Sequence, residues 1–173
     1  HGFPMISRFV ERLCSVDVVE AFSPPRVSLE AKKFELKPGE AWDLTTGWDF
    51  TKPGDRSRAL SLIREQKPWM VFLSPPCTQF STWSHMAEHL LGSAALEGRR
   101  EEALTLWAFA MEVAELQRVE GRRFALEQPR GALSWNLASA QWMMEQEGVE
   151  KVTVDMCRCG LSVRPGTVAK KPA

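Results

Sequence analysis

The sequence has 173 residues, with 22 Lys+Arg against 22 Asp+Glu and hence a formal net charge of zero; 44% of its residues are hydrophobic and 25% charged. These are globular averages, which exclude a disordered, collagen-like or low-complexity chain, and the charge balance excludes a basic-tail nucleic-acid binder that relies on counterion release. No apolar run approaches the roughly eighteen residues of a membrane span, and His1-Gly2-Phe3-Pro4 does not open a signal peptide, so one soluble, intracellular domain over residues 1–173 is expected, with no membrane partner.

The period of the apolar residues alternates along the chain between strand-like and helix-like segments, the α/β signature. Ser15 to Phe22 is a β-rich run stopped by Ser23-Pro24-Pro25, and Arg26 to about Leu36 is helical, ended by Lys37-Pro38-Gly39. Ala41 to Leu44 predicts a second strand, Gly47 to Phe50 a short third, and Asp55 to Gln66 a helix opened by Pro53-Gly54. Trp69-Met70-Val71-Phe72-Leu73 is apolar throughout, as a parallel strand covered on both faces should be, and runs into Ser74-Pro75-Pro76-Cys77. A long helix follows over Glu97 to Glu120, with Leu104, Trp107, Ala108, Met111, Ala114 and Glu115 as its buried stripe and edge, and Gly121 caps it. Arg123 to Glu127 predicts a strand, Ser134 to Gln146 a helix, and Val149 to Asp155 a last strand. This order gives an open, mostly parallel sheet with right-handed crossovers and a ligand crevice at the carboxyl ends of its strands.

Chemistry-bearing residues stand where the strands stop. Glu20 and Phe22 end the first, Asp43 the second, Asp49 the third, Pro76-Cys77 follow the fourth and Glu127 ends the fifth. Acidic side chains at the ends of the first strands suit a nucleotide-like ligand, because a carboxylate accepts both hydrogen bonds of a ribose diol, while an Asp at a strand end also serves as a turn or cap residue. Four cysteines, Cys14, Cys77, Cys157 and Cys159, are too sparse for a disulfide scaffold and fit a reducing compartment. Most buried cysteines are inert small hydrophobes, but Pro75-Pro76 leave no amides to pair and project Cys77 out of the sheet edge as a nucleophile would be placed. His85 and His89 with Cys157-x-Cys159 have poor zinc spacing, and no metal site is assigned. Arg99, Arg100, Arg118, Arg122 and Arg123 read as a solvated face paired with nearby glutamates.

Phe72-Leu73-Ser74-Pro75-Pro76-Cys77-Thr78-Gln79-Phe80-Ser81 resembles the Pro-Cys loop of the DNA cytosine carbon-5 methyltransferases, and Phe124-Ala125-Leu126-Glu127-Gln128-Pro129 resembles their strand ending in Glu-Asn-Val. Val19-Glu20-Ala21-Phe22-Ser23 is similar to the start of their S-adenosylmethionine loop, and Asp43 and Asp49 fall where their ribose-binding and adenine-binding acids come. The resemblance covers about residues 15 to 162 and is nearest to phage-like or retroelement-associated members. It implies a Rossmann-like class I methyltransferase fold with helices on both faces of the sheet, with Glu20, Phe22, Asp43, Asp49 and Pro75 binding S-adenosylmethionine. It also implies that Cys77 adds to carbon-6 of a flipped or single-stranded cytosine in DNA, and that a buried Glu127 of raised pKa protonates ring nitrogen 3. The chain departs from the family at Ser23-Pro24-Pro25-Arg26, which replaces a glycine-rich loop, at Gln128 and Pro129, and in having only Arg158 and Arg164 as counterparts of a later arginine. Lys170-Lys171-Pro172-Ala173 falls before the family's target-recognition region, so a separate recognition domain or partner chain is expected. Two alternatives stand beside catalysis on cytosine: a degenerate methyltransferase-like module that binds nucleic acid or a partner chain, and an amino-group methyltransferase. Cys77 standing in the place of a stacking aromatic counts against the latter.

Overall fold

The β-branched pair Val18-Val19 opens β1 (Val18–Ala21), whose four side chains are all buried, Glu20 among them. This computed structural model describes residues 15–80, 93–155, 162–164 and 167–168. From β1 the chain passes through the short helix α1 (Val27–Ala31) and a 3-10 turn over 32–34 into β2 (Pro38–Trp42). The sequence places the start of β2 too late, reading Pro38-Gly39 as punctuation. Proline is tolerated at the first position of an edge strand, and Gly39 is needed because a Cβ there would lie 2.7 Å from the Val19 side chain.

Helix α2 (Pro53–Gln66) begins on proline at its first turn, buries Ala59, Leu60 and Ile63 and ends at Lys67 in the left-handed region (φ 49°). It leads into β3 (Met70–Leu73); the long helix α3 (Ser93–Val119) precedes β4 (Arg123–Leu126). Gly121 (φ 70°) closes α3 as expected, its amide donating to the Arg118 carbonyl. The buried face of α3 is rotated from the expected stripe. Ala103, Trp107, Phe109, Ala110, Met111, Val113, Ala114 and Gln117 are buried, whereas Leu104 and Ala108 are exposed. Gln117 secures the helix: its amide donates to the carbonyls of Pro68 (3.0 Å) and Arg123 (2.8 Å), just before β3 and at the start of β4.

The four strands are all parallel in the order β2-β1-β3-β4, in register Val18–Ala21 against Met70–Leu73 and Met70–Leu73 against Arg123–Leu126. Parallel neighbours require crossovers, and helices supply each of them, so the architecture is α/β. Because β2 lies on one side of β1 and β3 on the other, the strand order reverses between the carboxyl ends of β1 and β3.

Two expected strands are absent. Residues 47–50 form a turn, in which Gly47 adopts φ 90° and the Trp48 amide donates to the Asp43 carbonyl; the apolar alternation there reflects burial of Trp48 and Phe50 in the core. Residues 149–154 are irregular with Val152 71% exposed, so no buried face holds them to a sheet, and Asp155 makes only an isolated bridge. The helix expected over 134–146 is divided into a 3-10 turn over 133–136 and α4 (Ala138–Met144), because Leu137 is extended. A short antiparallel pair, β5 (Ser162–Arg164) with β6 (Thr167–Val168), was not expected.

The chain forms two compact units. The first comprises His1–Pro76 and Glu101–Leu126 and holds the parallel sheet; the second comprises Cys77–Arg100 and Glu127–Ala173 and holds α4, β5 and β6. No helix among the described residues is long and apolar enough to cross a membrane.

Candidate functional site

In the first unit the strand ends gather around an aromatic cluster. Phe22 stacks edge-on against Phe50 (ring centroids 5.0 Å) and Phe109 (6.1 Å), Phe50 lies 4.6 Å from Phe109, and Trp48 joins Phe50 to Trp42. Trp42, Trp48, Phe50 and Phe109 are buried while Phe22 is half-buried, so Phe22 is the member nearest solvent. Its backbone has φ 64°, a left-handed conformation that strains a bulky residue and is held by its amide donating to the Trp42 carbonyl (2.8 Å). Arg58 lies over the Trp48 ring at 4.3 Å, and the Trp48 indole donates to Glu40 (3.0 Å). Pro75 is buried directly after β3, where the Ser74 amide donates to the Ala21 carbonyl (3.2 Å) and ties that chain end to the end of β1.

Glu20 is fully buried, and its carboxylate accepts from the amides of Arg26 (3.0 Å), Val27 (3.1 Å) and Ser28 (2.7 Å) and from the Ser28 hydroxyl. Burying a carboxylate is costly unless it is hydrogen-bonded, and these four donors satisfy it. The side chain therefore holds the loop between β1 and α1 in place. It does not point a free carboxylate at a ligand.

Asp43 and Asp49 make the same local arrangement. Asp43 Oδ1 accepts from the Thr45 amide (2.9 Å) and hydroxyl (2.7 Å), and Asp49 Oδ1 accepts from the Thr51 amide (3.1 Å) and hydroxyl (2.6 Å). Each aspartate thus caps a turn two residues ahead, the ordinary work of that residue at such a position. Asp43 also forms a capping box, its side chain accepting from the Thr46 backbone while the Thr46 hydroxyl accepts the Asp43 amide (3.0 Å), whereas Asp49 Oδ2 meets Lys52 Nζ at 3.2 Å. The Thr51 hydroxyl first, and then Lys52, hold the Asp49 carboxyl below its ordinary pKa. Asp49 belongs to a turn, not to the strand end expected for it.

In the second unit Cys77 is half-buried and free of disulfide, and its carbonyl accepts the Phe80 amide (2.9 Å), which sets it immediately before the 3-10 turn over 78–80. Glu127 directly follows β4 and is half-buried, so the full enclosure expected for it is not found. The next two residues are anchored. Gln128 is buried and its Oε1 accepts the hydroxyl of the fully buried Ser134 (3.0 Å), while the Pro129 carbonyl accepts the Trp135 indole (3.0 Å) and the Ala132 amide (2.9 Å). Lys151 lies over the Trp135 ring at 4.2 Å. Sequence reading missed Ser134 and Trp135, which no motif marks; the one available signal was a Ser-Trp pair in a helix whose start lacked a capping acid.

His85, His89, Cys14, Cys157, Cys159 and Arg158 lie outside the described residues, and Arg164 lies in β5. Among the described residues no group of three or more His, Cys, Asp or Glu side chains is arranged to hold a metal. Compared with family models, curated proteins and solved structures, the chain matches none of them. As a test of fit to a nucleoside-type cofactor, the first unit offers Asp43, whose carboxylate would share its turn hydrogen bonds with a ribose hydroxyl, and Phe22, half-exposed at the strand-order reversal, as an apolar wall. Those residues, with Asp49 and Pro75, would hold such a group.

Proposed function

We propose that the chain is an S-adenosylmethionine-dependent methyltransferase module of Rossmann-like class I type, acting on carbon-5 of cytosine in DNA through Cys77 and Glu127. The observation that carries this reading is the register of β3 with β4: Leu73 pairs with Leu126, so Cys77 and Glu127 follow the same ends of adjacent parallel strands and both enter the second unit. Carbon-5 of cytosine is a weak nucleophile. Addition of the Cys77 thiolate to carbon-6 forms a carbon–sulfur bond and pushes the ring electrons toward carbon-5, while Glu127 delivers a proton to nitrogen 3 and so offsets the developing charge. When bound, S-adenosylmethionine supplies the electrophilic methyl group. Loss of the carbon-5 proton to a water base then expels the Cys77 thiolate, and return of the nitrogen-3 proton to Glu127 restores the neutral aromatic ring and the acid. A base stacked in duplex DNA is out of reach of such a thiolate, so the substrate is flipped or single-stranded, and a recognition domain or partner chain selects the sequence around it.

The test is covalent trapping. DNA containing 5-fluorocytosine should give, with S-adenosylmethionine present, an adduct stable to denaturing gels that is lost completely in Cys77→Ser. Absence of any adduct across varied sequences would sink the reading. One observation favours a second reading, a module that binds nucleic acid without turnover: Ser23-Pro24-Pro25-Arg26 stands where a glycine-rich loop lets a ligand approach the backbone. Calorimetry with S-adenosylmethionine separates the two, since micromolar binding supports methyl transfer and no binding supports the module.

A further inference from the structure

The loop from Ser23 to Ser28 has an unusual inventory of donors. Pro24 and Pro25 have no amide hydrogen, and the amides of Arg26, Val27 and Ser28 all donate to Glu20, which leaves the Ser23 amide as the one without a partner among the described residues. Loops that receive phosphates after a first β-strand do the opposite: their glycines bare several consecutive amides to the ligand. Five residues long, α1 offers no anion site of its own, and what its first amides could offer is already taken by a carboxylate that is 0% exposed. A ligand anion brought to the backbone of this loop would meet a buried carboxylate and, of its amides, only that of Ser23 unpartnered among the described residues, with the Arg26 side chain outside on the exposed surface. The Pro-Pro pair and the buried acid thus work together, one removing two amide donors and the other occupying three more.

We infer that Glu20 is a specificity-determining residue that closes the carboxyl end of β1 to anions, so that a ligand bound there presents a neutral or cationic group and phosphate-bearing nucleotides are refused. The inference rests on the proposed methyl-transfer reading only in its choice of ligand, an adenosine derivative that carries at its 5′ carbon, where a nucleotide carries its phosphate, a cationic sulfonium.

The experiment has two arms. In the first, circular dichroism melts of the wild-type chain and of Glu20→Ala and Glu20→Gln are compared in formate, inorganic phosphate and chloride at matched ionic strength. Formate should raise the melting midpoint of Glu20→Ala, or restore its fold if the variant is unfolded in chloride, by filling the space the carboxylate leaves against the three amides. The wild type and Glu20→Gln, where that space is filled, should not respond. A Glu20→Ala variant no more responsive to formate than wild type, or a Glu20→Gln variant as stable as wild type, would overturn the inference. In the second arm, wild-type affinities for S-adenosylmethionine, adenosine, AMP and ADP are measured by calorimetry; AMP and ADP should bind at least about tenfold more weakly than adenosine. Equal or tighter binding of either phosphate overturns the inference. If neither S-adenosylmethionine nor adenosine binds, the cofactor assignment fails, and the formate arm still decides the role of Glu20.

Discussion

At the scale of single residues, the acids at the strand ends divide by what their oxygens already hold. Glu20 gives both oxygens to the loop ahead of it, while Asp43 and Asp49 each accept from a threonine two residues on, Asp43 completing a capping box with Thr46 and Asp49 pairing with Lys52. Among the described residues Asp43 meets only donors of its own turn, whereas Asp49 is also paired with Lys52. Asp49 is a source of pH-dependent stability. Its folded pKa is lowered beneath the ordinary value of 3.8, so its contribution is fully present above that value and is lost as the pH falls through the lower folded one. Asp49→Asn removes the linkage. Urea midpoints taken at intervals from neutral pH downward should show the wild type losing its advantage over Asn only in the acid limb below about pH 4. A constant difference between the two proteins across the whole range would contradict the assignment.

At the scale of elements, the segment after β4 shows how the chain beyond a strand-end acid is fixed by the turn that follows it. Glu127 leaves the strand, and the next two residues are anchored by the turn over 133–136, through Ser134 to Gln128 and Trp135 to Pro129. Because Ser134 and Gln128 are both buried, Ser134→Ala takes a hydroxyl donor from an amide oxygen with little access to water. It should destabilise the protein by about 1 kcal/mol in urea titration and, under the methyl-transfer reading, slow adduct formation without abolishing it. An unchanged urea midpoint would show that the turn does not hold this segment. The two strands expected at 47–50 and 149–155 share one cause of error. Alternation of apolar residues records burial or its absence only after the chain has been placed, and here Trp48 and Phe50 pack into a ring cluster while Val152 and Val154 face solvent. The same cluster accounts for two of the seven tryptophans, Trp42 and Trp48, as packing residues.

At the scale of the whole molecule, the stability of the first unit centres on the two inner strands. Val19 on β1 and Val71 and Leu73 on β3 are fully buried, and the order β2-β1-β3-β4 gives each inner strand two hydrogen-bonded neighbours. Leu73 is therefore a position where a cavity cannot be relieved by an exposed edge. Leu73→Ala should cost about 2–5 kcal/mol, measured as a lowered urea midpoint with an unchanged slope. A cost under about 1 kcal/mol would mean that the sheet repacks around β3 more freely than its burial indicates.

Sequence alone determined the α/β class, the four strands of the sheet to within a few residues at their ends, the Gly121 stop of α3, and the positions of Cys77 and Glu127 relative to the strands they follow. These features rest on local signals: β-branched and apolar runs, prolines that cannot pair, a glycine where the backbone must turn left. Tertiary structure decided the strand order and therefore where the strand order reverses, because pairing between β1 and β3 joins segments some fifty residues apart that no local pattern relates. It also decided what each acid does. A buried carboxylate takes its role from the donors that surround it, and those of Glu20 come from six to eight residues away along a folded loop, where spacing in the sequence gives no measure of distance in space.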